Sequence, residues 1–150
     1  MNECLIYPMY RADKRPTCCP SLHIHHMKLN HINLVVTDIP KAIGLFVNQL
    51  GFKCFTNRND RMAILTNTDA FALVLWSSSL NREQTVQYPE NFHIGFYQPD
   101  RESVLAVYES LQGLEVTFES EPKKIRNTFG FYFHFEHLMI EISMIPTSFE

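Results

Sequence analysis

Two histidines and one glutamate stand out as residues that could do chemistry together. His31 opens the run HINLVV, His93 opens HIGFYQ, and Glu141 sits inside LMIEISM, each within an otherwise apolar, strand-like stretch. A buried imidazole or carboxylate needs a hydrogen-bonding or metal partner to offset its loss of water. Two neutral imidazoles and one carboxylate form the set that holds a divalent transition ion and leaves coordination positions open for water or substrate. Fe, Mn, Zn, Ni and Co all suit such donors. Glu141 is also the candidate catalytic residue of the set. Without a metal, the three groups could satisfy one another by hydrogen bonds, and a lone histidine at a strand start is more often an edge or core residue than a ligand.

The elements that must position these residues occur twice. HINLVVTDIPKAIGLFVNQLGFKC, from His31 to Cys54, matches HIGFYQPDRESVLAVYESLQGLEV, from His93 to Val116, at a constant offset. His31 meets His93, Asp38 meets Asp100, Phe46 meets Tyr108 and Gly51 meets Gly113. Each copy reads as a strand, an Asp in N-cap position, an amphipathic helix, and a glycine where a helix would end in the left-handed conformation. The helix faces are Ile39, Ala42, Ile43, Phe46 and Leu50 in one copy and Val104, Leu105, Tyr108 and Leu111 in the other. Pro40 fits a first helical turn. Three strand-like pieces follow each helix: FKCFTN, RMAILT and FALVLWS, then LEVTFES, TFGFYFHF and LMIEISM. The expected fold is α+β, two βαβββ modules forming a curved mixed sheet around a central cavity. Module one spans 27–76, a polar linker 77–91 and module two 92–146, all in one domain, 27–146.

Side-chain alternation along strands separates the helix-facing residues from those facing the interior. Ile32, Leu34 and Val36 suit the helix, leaving His31, Asn33 and Val35 opposite. Ile94 and Phe96 leave His93, Gly95 and Tyr97; Leu138, Ile140 and Ile142 leave Met139, Glu141 and Ser143. The three ligand candidates are therefore expected to converge on one cavity. Asn33, Trp76, Tyr97 and Tyr132 (or His134, by the parity of its strand) are candidate substrate-binding residues of its wall. Arg126, in KKIRNT, could meet an anionic substrate. Core packing for the aromatics and a solvated surface for the basic cluster are the bland alternatives. His134, Glu136 and His137, near a hairpin turn, read as surface groups or as supports behind the site.

Composition narrows the partners. At 150 residues and 45% hydrophobic content the chain can bury one sizeable core, and a net charge of -3 offers no basic surface for nucleic acid or an anionic membrane. A small-molecule substrate is expected. No apolar run approaches the roughly 20 residues that span a bilayer, and no secretory signal opens the chain, so a cytoplasmic location is expected. Residues 1–26 contain Pro8, Pro16 and Pro20 without sustained periodicity and read as an irregular, dispensable extension. A zinc site there from Cys18, Cys19, His23, His25 and His26 lacks the usual Cys-x-x-Cys spacing. Cys54 reads as a small buried hydrophobe.

LNHINLVVTDIPKAIGLFVNQLGF, FHIGF and FGFYFHFEHLMIEIS together resemble the vicinal oxygen chelate superfamily, which includes glyoxalase I, bleomycin-resistance proteins, fosfomycin-resistance thiol transferases and extradiol dioxygenases. The resemblance spans almost all of residues 27 to 145. It implies metal ligands on the first and last strands of the modules, where His31, His93 and Glu141 fall, and a fourth position that falls on Val74. Valine cannot bind metal, which weighs against glyoxalase I and CoA-ester epimerase activities and leaves the three-ligand pattern of the thiol transferases and iron dioxygenases. The family's usual DPDGN turn before the final Glu is shortened here to FEHL. The implied function is a divalent-metal-dependent enzyme acting on a small molecule by bidentate oxygen chelation, of lyase, thiol transferase or dioxygenase type, in a homodimer. The alternatives are a metal-free small-molecule binding protein of the bleomycin-resistance type, and a scaffold whose pocket is filled by its own aromatics.

Overall fold

Both repeats form the local structures their patterns predict, and for the same reasons. In the computed structural model, which describes residues 28–81 and 86–146, strand β1 (His31–Val36) leads into helix α1 (Ile39–Asn48), and β5 (His93–Gln98) into α2 (Arg101–Leu111). The Asp38 carboxylate accepts the backbone N–H of Lys41 at 3.0 Å and that of Asp100 accepts the N–H of Ser103 at 2.8 Å. Each satisfies an amide that a helix start leaves without a partner. Gly51 and Gly113 turn the chain after the helices at φ 73° and 82°, a region open to glycine without steric cost.

The remaining strands are β2 (Lys53–Arg58), β3 (Met62–Thr66), β4 (Ala72–Ser77), β6 (Thr117–Phe118), β7 (Lys123–Ile125), β8 (Thr128–Phe135) and β9 (Leu138–Met144). They make two sheets ordered β1-β4-β3-β2 and β5-β9-β8-β6, with β7 also paired to β8. The expected strand LEVTFES is shorter than its sequence suggests and is followed by the unanticipated β7. Pro122, which has no N–H to give a ladder, lies between the two pieces. Cys54 is exposed rather than buried. It lies on β2, the outermost strand of the first sheet, where a register shift between Cys54 and Thr56 interrupts the pairing and nearly every residue faces solvent. The expected irregular extension and zinc alternative in residues 1–26 lie outside the described residues.

Helix-side packing joins the modules. Leu34, Val36, Leu73, Leu75, Ala63 and Leu65 of the first sheet share one buried cluster with Phe131, Phe133, Ile140 and Ile142 of the second. Phe46 and Phe52 meet Phe96 of β5 at ring-centroid distances of 6.4 and 5.9 Å. Two polar contacts reinforce this junction. The Glu136 carboxylate, from the β8–β9 turn, accepts the backbone N–H groups of Thr37 and Asp38 at 2.5 and 2.9 Å, placing negative charge at the start of α1. The Tyr88 hydroxyl, from the linker, accepts from Val35 N–H and donates to Val35 C=O, both at 2.8 Å. Among the described residues no helix is long and apolar enough to cross a membrane.

Burial pushes the Tyr88 hydroxyl above its ordinary pKa of 10.0; Glu136 adds to that, and the Val35 bond opposes it. With the folded pKa above the unfolded one, the associated stability is complete below about pH 10 and is lost as pH rises through the folded value. Replacing Tyr88 with Phe leaves a strand amide and carbonyl without this partner. It should cost about 1–2 kcal/mol at neutral pH and should flatten the alkaline decline. Denaturant midpoints of both proteins at neutral and alkaline pH test this, and equal midpoints at neutral pH would refute it.

Candidate metal half-sites

Alternation places the ligand candidates on the sheet faces away from the helices, as the parity reading expects. In the second sheet Gly95 stands opposite Glu141, and Glu141 opposite Tyr132. His93, Tyr97, Glu141, Tyr132 and His134 thus share the open face, because Phe131, Phe133 and Phe135 of the same β8 are buried on the other. The first sheet repeats the arrangement, with Asn33 opposite Val74 where the second has Gly95 opposite Glu141. His31 and Asn33 lie on its open face, with Trp76 opposite both Val35 and Met62. Trp76 is 39% exposed and Tyr97 58% exposed, more than a sealed cavity wall would allow.

Within one chain only two of the three candidates come together. Nε2 of His93 lies 3.4 Å from Oε2 of Glu141, whereas no group of three His, Cys, Asp or Glu side chains that could hold a metal is present among the described residues. The sequence leaves open whether the three meet within one chain or across a dimer; here His31 sits on the other sheet. The physical reason is the junction itself, which joins the modules through the helix-side aromatics and leaves their open faces uncovered by one another.

The histidine rings are held by local oxygens. Nδ1 of His93 lies 3.0 Å from the Asn91 carbonyl oxygen, which can only accept, so Nδ1 donates there and Nε2 faces a carboxylate oxygen. His31 repeats the pattern, with Nδ1 2.7 Å from Oδ1 of Asn30. A neighbour that fixes Nδ1–H in this way prepares Nε2 for a metal. Two ligand atoms each about 2.0–2.2 Å from one ion lie about 2.8–3.6 Å apart between octahedral and tetrahedral angles, so the His93–Glu141 spacing fits two corners of a coordination shell. The support comes from the Asn30 side chain for His31 but from the Asn91 main-chain carbonyl for His93, which residue type does not signal.

Tyr132 completes the half-site. Its ring meets that of His93 edge-on at 5.7 Å, and it stands directly across the ladder from Glu141, whose carboxylate acts on its hydroxyl. Burial first, then Glu141, holds the phenol above its usual range, while Arg126 pulls it down. A pocket of about 320 Å³ is lined by His93, Tyr97, Arg126, Tyr132, Glu141 and residues around them. His134 is paired with Glu119 at 3.0 Å, a contact the sequence did not reveal. His137 is exposed on the hairpin turn, whereas Glu136 ties the two modules together.

A duplicated βαβββ unit with paired open faces defines a glyoxalase-like protein. The sequence profile of the Glyoxalase/Bleomycin resistance protein/Dioxygenase superfamily matches residues 28–142, and the chain belongs to that superfamily. Among solved structures it resembles a possible glyoxalase from Bacillus cereus (28% identity, TM-score 0.66, covering 78% of this chain and 98% of that one). It also shares its fold with the fosfomycin resistance protein FosX from Listeria monocytogenes (17% identity, TM-score 0.65, 82% and 94% covered). Lactoylglutathione lyase from Agrobacterium tumefaciens is a third such structure (12% identity, TM-score 0.60, 78% and 92% covered). No curated protein matches the sequence.

Proposed function

We propose that the protein is a divalent-metal-dependent enzyme that acts on a small molecule by bidentate oxygen chelation, with each metal site completed by two copies of the chain in a homodimer. His93 and Glu141 of one copy, with His31 of the other, are the proposed ligands. The observation that carries this reading is Nε2 of His93 turned toward Oε2 of Glu141 at 3.4 Å, with the other ring nitrogen committed to the Asn91 carbonyl. Two electron-rich atoms so placed require a proton or a cation between them. His31 is likewise held through Nδ1, by Asn30, and a second copy is what can bring it there. The face it stands on also carries Val35, Ile64, Val74 and the exposed Trp76, an apolar surface suited to burial against another copy.

When bound, the ion would supply Lewis acidity and a template for vicinal substrate oxygens. Tyr132 would hold the Glu141 carboxylate in place through its hydroxyl, and Asn91 would hold the His93 ring. Val74 occupies the position equivalent to Glu141, so the first sheet would offer an imidazole alone. This favours a three-ligand site of thiol transferase or dioxygenase type over a four-ligand lyase site.

Elemental analysis of freshly purified protein should find about one first-row metal ion per chain. Negligible metal together with saturable binding of small aromatic ligands would instead favour the metal-free binding protein.

A further inference from the structure

We infer that the substrate of this site carries an oxyanionic end, a carboxylate or a phosphate, received by Arg126 while its chelating oxygens face His93 and Glu141. This rests on the proposed metal site for the location of the substrate's other end and for the net charge of the pocket. Arg126 lies in the turn between β7 and β8 and lines the same pocket as His93 and Glu141. It also borders the adjoining hollow formed with Asn91, Glu119 and Met139. Its charge reaches the Tyr132 phenol, which itself stands across the ladder from Glu141.

The guanidinium has no ion-pair partner among the described residues. The carboxylates around it are already engaged, Glu119 by His134 at 3.0 Å and Glu141 by Tyr132 and His93. Its backbone is held at φ 50°, where glycine or asparagine would be the less strained choice. The two-residue hairpin turn that joins β7 to β8 imposes this conformation. Charge balance agrees. A divalent ion and Arg126 set against Glu141 leave the pocket net positive, and a guanidinium matches the paired oxygens of a carboxylate or phosphate.

The test uses full-length protein in two arms. In the first, metal-free protein is titrated with inorganic phosphate and, separately, with acetate, following the backbone amides of Arg126, Asn127 and Thr128 by NMR. Saturable shifts are expected with at least one anion, and the tighter of the two identifies the oxyanion. Arg126→Gln should weaken that binding about 10-fold or more. Arg126→Asn, which suits the left-handed backbone, should do the same and guards against a folding artefact. No saturable shift with either anion, or unchanged midpoints in both variants, overturns the inference. In the second arm, metal-loaded protein is offered propionohydroxamate and its carboxylate-bearing analogue succinohydroxamate. The charged chelator should bind about 10- to 100-fold more tightly to the wild type and lose that preference in Arg126→Gln, while the neutral one is unaffected. Anion shifts without hydroxamate binding would sink the metal reading alone. Hydroxamate binding without a charge preference would sink the anion inference alone.

Discussion

Co-expressed with different affinity tags, a His31→Ala copy and a Glu141→Ala copy should form mixed dimers that hold about half the wild-type metal per chain, although either variant alone holds almost none. In a two-fold dimer every interface contact occurs twice, so the proposed wild type has two metal sites. Each site would take His31 from one copy and His93 with Glu141 from the other. In the mixed dimer one site combines the intact His31 of the Glu141→Ala copy with the intact His93 and Glu141 of the His31→Ala copy. The other site lacks both. Removing one of three ligands should cost at least about 100-fold in metal affinity, because even supporting groups behind a ligand typically cost 10–100-fold. Metal per chain in dimers purified through both tags is the measurement. Sites closed within one chain predict no recovery, since neither copy would then own a complete set, and a metal-free binder predicts no metal in the wild type either. His93→Ala serves as the control. Paired with His31→Ala it should restore metal as Glu141→Ala does, while paired with Glu141→Ala it should restore none, because both losses fall in the same half-site.

This design follows from what was legible in the sequence and what was not. The modules themselves were readable because their signals are local: the alternation around His31 and His93, the Asp38 and Asp100 caps, and the glycines at 51 and 113 each act within a few residues. Strand parity then assigned Glu141 to the open face without knowledge of the tertiary fold. How the modules pack was not readable. Phe46, Phe52 and Phe96 have the same local pattern whether they cover their own sheet or bridge to the other, and the bridging arrangement is settled by contacts far apart in sequence. Glu136 and Tyr88 illustrate the same limit. One looked like a surface carboxylate and the other like part of a passive linker, yet both bond backbone groups at the ends of module one's first strand and helix. The split of β6 from β7 had a visible cause in Pro122, but the pairing of β7 with β8 depended on where the chain returned.

The open face of the second sheet depends on how closely β8 and β9 approach each other, which makes Gly130→Ala the substitution expected to damage the fold most. Gly130 stands opposite Ser143, and a Cβ added there would lie 2.3 Å from the Ile142 carbonyl oxygen and 2.8 Å from both Cα and Cβ of Ser143. Backbone atoms on a central strand cannot swing aside as a flexible side chain can. The methyl group must therefore push the strands apart or break the ladder beside Glu141. Overpacking together with lost ladder bonds should cost about 3 kcal/mol, a large share of the roughly 5–15 kcal/mol that stabilises a domain. For a chain of this length that corresponds to a fall in Tm of about 6–12 °C. Gly44→Ala is the matched control. It lies within α1, where the nearest atom to an added Cβ is Nδ2 of Asn48 at 4.0 Å, and replacing a helical glycine with alanine should stabilise by about 0.5–1 kcal/mol. Thermal melts of the two variants should therefore move in opposite directions. An unchanged Tm for Gly130→Ala would mean that β8 and β9 do not approach as closely as the structure has them. The placement of Tyr132 against Glu141, and with it the geometry of the proposed metal half-site, would fall as well.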